Sequence, residues 1–269
     1  MVEATILLTI ACLATGAGLA VWRALRGPAR RWPGTLRRVA IVGLVTVLLV
    51  AISAWRLSRS REFQVLGHLV RRVETVTPVV GLTFDDGPLP GFTEEILDAL
   101  RAEGVRATFF VTGEALEEHA AQARLIVAEG HELGNHSYSH RRMVGVSYAF
   151  VREEVERTDE LIRATGYQGE IHFRPPYSKR LLVLPYYLSR TGRTTILCDV
   201  EPESYPEVAA DAGKIVQHVV GQARSGSIIL LHVMNASRSE SVRAVPAIIQ
   251  ALRSKGYTFV TVSELLAAR

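Results

Sequence analysis

Two rhythms of apolar and polar residues divide this chain. Near the start, residues 4–22 and 39–55 carry no charged side chain at all. At about 1.5 Å rise per residue these runs would extend about 28 and 26 Å, close to the hydrocarbon thickness of a bilayer, and they predict a transmembrane helical hairpin within residues 1–60. Segment 61–77 alternates loosely around Gly67-His68 and predicts short connecting strands. From residue 78 to 269 the rhythm changes. Short segments at 79–84, 105–111, 131–135, 171–174, 194–199, 227–231 and 257–262 read as strands, those at 79–84 and 227–231 the most apolar. Between them, apolar residues recur at helical spacing over 93–103, 114–129, 147–165, 181–190, 208–224, 239–254 and 264–268. Strands alternating with helices predict an α/β fold with parallel strands and right-handed crossovers, either an open doubly wound sheet or a barrel. In both, the carboxyl ends of the strands share one face, where active sites form.

Charge sharpens the division. Up to Thr77 there are eleven Lys/Arg against three Asp/Glu; beyond it, twenty against twenty-four. The overall +4 therefore belongs to the N-terminal segment and does not mark a nucleic-acid surface on the larger domain. Six arginines lie between the apolar runs, from Arg23 to Arg38, and Trp22, Trp32 and Trp55 sit at or near the run ends. By the positive-inside rule that loop is cytoplasmic, which makes the protein a multi-pass cell-membrane protein with its main domain outside. A signal peptide fits the first run less well, because the chain opens Met-Val-Glu with no basic stretch. Cys12 and Cys198 are too differently placed to form a disulfide framework, and no protein partner is evident.

The candidate chemistry stands just past the strand ends. Asp85 and Asp86 close the run Val79-Val80-Gly81-Leu82-Thr83-Phe84 and precede Gly87-Pro88. Adjacent carboxylates at the end of a buried strand repel unless a cation sits beside them. His136 and His140 are four residues apart, on one face if the segment turns helically. Two imidazoles and one carboxylate, with a position open for water, form the donor set of a catalytic zinc site. Arg174 precedes Pro175-Pro176-Tyr177, where two prolines stiffen the chain, and an arginine near an aspartate lowers its pKa. His232 ends the apolar run Ile228-Ile229-Leu230-Leu231 and is a candidate proton donor.

Thr83-Phe84-Asp85-Asp86-Gly87-Pro88, His136-Ser137-x-x-His140, Arg174-Pro175-Pro176-Tyr177 and Leu230-Leu231-His232 together resemble four of the five motifs of the polysaccharide deacetylase (NodB-homology) family, in order. The resemblance implies a distorted (β/α)7 barrel and removal of N-acetyl groups from peptidoglycan- or chitin-like polysaccharide, with a divalent metal, zinc foremost, as cofactor. Asp85 would be the base and Asp86, His136 and His140 the metal ligands. Arg174 would hold Asp85, the Tyr177 amide would support the oxyanion, Leu230 would line the substrate site, and His232 would be the acid. The fifth motif departs from the family's acid-Trp pair: Ser204-Tyr205 stands in its place. Asp199, Glu201 or Glu203 is left to supply the carboxylate that activates His232, and Tyr205 to form an aromatic wall for substrate. That departure leaves room for an O-acetyl esterase or an amide hydrolase on a non-sugar substrate; a sugar-binding barrel without activity is the other alternative.

Overall fold

The structure, a computed structural model, describes residues 34–234 and 236–269. It consists of two units, one ending at Ser58 and one running from Arg59 to Arg269. The described part of the first is a single helix, α1 (Gly34–Ser58), whose apolar stretch within Leu36–Ser58 has a mean hydropathy of 2.2 and is not buried, Ser58 at its end being the buried exception. Its length and apolarity suit a bilayer. The other expected span, 4–22, lies outside the described residues; among the described residues one helix is long and apolar enough to cross a membrane, so the expected hairpin and multi-pass arrangement are not supported.

The second unit is built on strands that pair in parallel. Its strands are β1 (Leu69–Val70), β2 (Val79–Asp85), β3 (Thr108–Val111), β4 (Glu132–Asn135), β5 (Thr195–Ile196), β6 (Ile228–Leu231) and β7 (Thr258–Val260). The sheet runs β4-β3-β2-β6, with β7 pairing the first residues of β2 and β1 pairing β5. Single bridges close the ring: Phe173 joins Asn135 to Thr195, and Val200 joins Ile229. The barrel is distorted for a readable reason. The expected strand at 171–174 contributes only the Phe173 bridges, because Pro175 and Pro176 follow at once and offer no N–H for a longer ladder. The expected strands at 61–77 reduce to the two residues of β1 and a single antiparallel bridge from Arg72 to Ser227.

Eight of the helices cover the barrel. They are α2 (Phe92–Glu103), α3 (Gly113–Glu118), α4 (Ala120–Ala128), α5 (Tyr148–Ala164), α6 (Val183–Arg190), α7 (Pro206–Ala209), α8 (Ala212–Gln222) and α9 (Ser239–Ser254). A short α10 (Val262–Ala267) follows β7. The expected helix at 114–129 is broken at His119, and that at 208–224 is broken before Asp211, whose side chain caps α8 by accepting from the Lys214 N–H at 2.8 Å. Every residue of β2 is buried, with Leu82 and Phe84 fully enclosed among Ile96, Leu97, Phe109, Leu231 and Ile249. That packing fixes where β2 ends, and so where the two aspartates emerge.

Candidate active site

At the end of β2, Asp85 is 3% exposed. Arg174, 2% exposed, donates from one terminal nitrogen to Asp85 Oδ1 at 2.5 Å and to Thr83 Oγ1 at 2.9 Å. Its other terminal nitrogen reaches the Leu197 carbonyl at 3.3 Å, and its Cζ lies 4.0 Å from the Phe110 ring centroid. Burial by itself would raise the Asp85 pKa; Arg174, then His136 and His232, hold it below the ordinary carboxylate value. The carboxylate is thus kept ionised, with Oδ1 tied to Arg174 and Oδ2 facing His136 Nε2 at 3.6 Å.

Asp86, His136 and His140 offer one ligand atom each, all within 4.8 Å of one another. The His136 ring lies against the Arg174 carbonyl, with Nδ1 at 2.8 Å. A carbonyl can only accept, so Nδ1 carries a proton and Nε2 is the nitrogen turned toward Asp86 Oδ1, 3.9 Å away. Burial, then the neighbouring His136, lowers the His140 pKa and favours the neutral imidazole that binds metals. One carboxylate and two imidazoles, each presenting a ring nitrogen to the cluster, fit a divalent cation of borderline softness, zinc included.

The two histidines do not share a helical turn. Residues 136–140 form a loop in which Ser137 and His140 take φ of 68° and 54°. Two neighbours hold this shape. Asn135 Oδ1 accepts from the Ser137 N–H at 2.8 Å, and Glu154, buried on α5, accepts from the Tyr138 and Ser139 N–H groups at 3.0 and 2.9 Å. The imidazole centroids end 5.0 Å apart. Asp86 (φ 68°), Tyr177 (φ 56°) and Ser178 (φ 56°) are also left-handed, so all five non-glycine residues with positive φ among the described residues lie in three loops at the site, in a region costly for a side chain.

His232 follows β6, and its Nδ1 pairs with Glu203 Oε2. Glu203 also accepts from the His232 N–H at 3.1 Å and from the Ser241 hydroxyl. Burial opposes the charge on His232, but the Glu203 hydrogen bond, then Asp85, Glu203 and Asp86 as charges, push its pKa up to about 9. Of the three carboxylates left open by the sequence, Glu203 is the one in contact with His232. Asp199 accepts from Ser227 Oγ at 2.9 Å and the Ile228 N–H at 2.8 Å, and Glu201 pairs with Arg61.

These groups face one cavity of about 380 Å³ lined by Asp85, Asp86, His136, His140, Leu230 and His232, with Tyr177, Ser178, Arg61, Glu201 and Arg238 at its sides. The Tyr177 ring lies 4.7 Å from that of His140. Tyr205 is not among the lining residues; its ring packs 5.1 Å from His218 instead, because the turn at Pro202–Ser204 that delivers Glu203 leads Tyr205 on toward α8.

Residues 72–196 match the family described as polysaccharide deacetylase. A peptidoglycan-N-acetylglucosamine deacetylase of Bacillus cereus is 31% identical over 211 residues, covering 77% of this chain and 96% of that protein. The chain belongs to the polysaccharide deacetylase family. It is accordingly a hydrolase of carbon–nitrogen bonds, with the α/β fold of that family. Among solved structures, the Bc1960 peptidoglycan N-acetylglucosamine deacetylase, in complex with 4-naphthalen-1-yl-N-oxidanyl-benzamide, superposes with a TM-score of 0.70 at 32% identity, covering 75% of this chain and 94% of that one. BA3943 of Bacillus anthracis, a pseudoenzyme of the family, gives a TM-score of 0.68 at 25% identity, covering 76% and 70%.

Two residues important to this deacetylase carry no signal in its sequence. Glu154 lies fourteen residues beyond His140 in an ordinary amphipathic helix, and only packing brings it under the histidine loop. Arg180, 1% exposed, clamps the segment after α1 to the Tyr177 loop: it donates to Gln64 Oε1 at 3.1 Å and to the carbonyls of Ser60 and Ser178 at 2.8 and 3.0 Å. That clamp delivers Arg61 to the cavity.

Proposed function

We propose that the protein removes N-acetyl groups from N-acetylated sugar units of a cell-envelope polysaccharide, peptidoglycan- or chitin-like, using a divalent metal, most simply zinc. The observation that carries this reading is the Asp86–His136–His140 cluster beside an ionised Asp85 in one cavity with His232. Family membership would not suffice, since a structural neighbour is a pseudoenzyme; the intact donor set is what argues for catalysis.

A cation held by Asp86, His136 and His140 would supply Lewis acidity for the acetamide carbonyl and for a water. Asp85, fixed through Oδ1, takes the water proton on its free Oδ2 as the water attacks. The Tyr177 backbone N–H, held in a stiff Pro-Pro turn, donates to the developing oxyanion, an effect worth roughly 3–4 kcal/mol per donor. His232, protonated through Glu203, gives its proton to the departing nitrogen, without which an amine is a poor leaving group. Leu230 offers the acetyl methyl an apolar wall.

Helix α1 anchors the enzyme in the cell membrane. Arg37 and Arg38 ahead of its apolar stretch favour a cytoplasmic start, and the catalytic unit then follows on the outer side, where envelope polysaccharide lies. The test is acetate release from wall fragments, chitin oligomers and acetylated xylan, with and without a chelator, for the wild type and Asp85→Asn. Release from N-acetylated chains that is abolished by chelation and by the substitution is expected. Metal-loaded protein that frees no acetate from any of them would sink the reading, and preference for xylan would move it to O-acetyl esters.

A further inference from the structure

The charges around the cavity do not balance. Three carboxylates line it, Asp85, Asp86 and Glu201, and each is already committed. Asp85 pairs with Arg174, Glu201 with Arg61, and Asp86 belongs to the metal-binding cluster. Three more cations stand in the lining or directly beside lining residues. Arg238 lines the cavity. The Arg142 guanidinium lies 5.1 Å from the centroid of the lining Tyr177, and Lys179 follows the lining Ser178 in the chain. Among the described residues, no carboxylate pairs with Arg142, Lys179 or Arg238. Burial chiefly, and then the arginines at 59, 61, 142 and 180, push the Lys179 ammonium below its ordinary pKa, so these like charges lie close enough to be felt.

This crowding is held in place. Arg180 is buried without an acidic partner among the described residues and spends its donors on backbone and amide oxygens of two segments, so the loop bearing Lys179 cannot relax away from Arg61. Uncompensated positive charge at a cleft raises the local concentration of anions and favours a ligand that brings negative charge. A neutral sugar chain, with only hydroxyls and amides, gains nothing from it. A chain carrying carboxylates does, through charge-assisted hydrogen bonds to guanidinium and ammonium.

We infer that the mouth of this cavity is a subsite for a carboxylate borne by the substrate chain next to the reacting sugar, with Arg238, Lys179 and Arg142 supplying the charge. The substrate is then an anionic, carboxylated glycan rather than a neutral one. This rests on the deacetylase reading above and narrows its substrate. The carboxylate has two sources in such a polymer: a lactyl ether on alternate sugars, or an attached peptide.

The test compares kcat/KM of the full-length protein in detergent on three substrates. They are a neutral N-acetylglucosamine oligomer, a peptide-free oligomer alternating N-acetylglucosamine with N-acetylmuramic acid, and the same oligomer carrying peptides. The carboxylated chains are expected to be preferred about tenfold or more in dilute salt, with the preference shrinking as salt is raised and the Debye length falls from about 10 Å toward 3 Å. The double variant Lys179→Ala/Arg238→Ala should lower the ratio of carboxylated to neutral kcat/KM about three- to tenfold, as expected for two partly exposed ionic contacts. Preference already present without peptide assigns the lactyl carboxylate; preference only with peptide assigns the stem. Equal kcat/KM on neutral and carboxylated chains, or a ratio indifferent to salt, overturns the inference and needs no variant to fold. No acetate from any of the three would instead sink the deacetylase reading itself.

Discussion

Replacing Glu203 by Gln separates the charge of that side chain from its shape. His232 has its pKa pushed up to about 9: burial pulls it down, and the Glu203 hydrogen bond leads the contributions that outweigh burial. A hydrogen bond to a charged group is worth about 1.5–3 kcal/mol. At about 1.4 kcal/mol per pH unit, its loss moves His232 down by about one to two units, to between about 7 and 8. Glu203→Gln should therefore leave the acid limb of the kcat/KM profile where Asp85 sets it and draw the alkaline limb from about 9 to between about 7 and 8. Activity near pH 6 stays high, and the deficit opens above neutrality. Stability follows the same sign. Because the folded pKa of His232 lies above its unfolded value of about 6.5, the imidazolium stabilises the fold fully below that pH, and the contribution drains away as pH rises through about 9. The variant should lose about 1.5–3 kcal/mol at pH 6, with the gap to wild type narrowing above pH 9. Acetate release and thermal melts at half-unit pH steps measure both. An alkaline limb that stays in place, or a loss of rate equal at every pH, would refute the Glu203–His232 coupling.

Three other substitutions probe neighbouring parts of the site. Asp199→Asn breaks an acceptor that serves Ser227 and the Ile228 N–H away from the cavity, so it should cost about 1–3 kcal/mol in a melt and leave the alkaline limb unmoved; a shifted limb would return Asp199 to the chemistry. Glu154→Ala strips the acceptor from two loop N–H groups and should weaken metal binding about 10- to 100-fold in a competition with a chromogenic chelator, as removing a supporting group does elsewhere. Unchanged metal affinity would show that Asn135 alone shapes the loop. Arg174→Lys cannot reach Asp85, Thr83 and the Leu197 carbonyl at once, so the Asp85 pKa should rise and the acid limb move upward, with a stability loss of about 2–3 kcal/mol. A fixed acid limb would mean that Arg174 is not what keeps Asp85 ionised.

The sequence by itself determined the alternation of strands and helices, because runs of buried apolar residues and 3.6-residue spacing are local properties. It also determined where two of the strand ends carry chemistry: Asp85-Asp86 and His232 each follow an apolar run that could only be interior, whereas His136 and Arg174 follow segments of mixed polarity and are marked by their motifs instead. What it left open were matters of direction and of partners distant along the chain. Three acids within five residues were equivalent on paper until the turn at Pro202–Ser204 aimed Glu203 at His232 and the pairing of Val200 with Ile229 turned Asp199 inward to Ser227. Tyr205 could not be seen to leave the cavity for the same reason. Spacing alone would put His136 and His140 on one face only if the segment turned helically, and nothing in its five residues announces the hold of Glu154, which packing alone supplies. Nor does any local pattern show that a segment just after the apolar helix would be pinned beside the catalytic loop by an arginine more than a hundred residues on. Periodicity encodes what is inside; only closing the chain on itself decides which buried or half-buried charges meet.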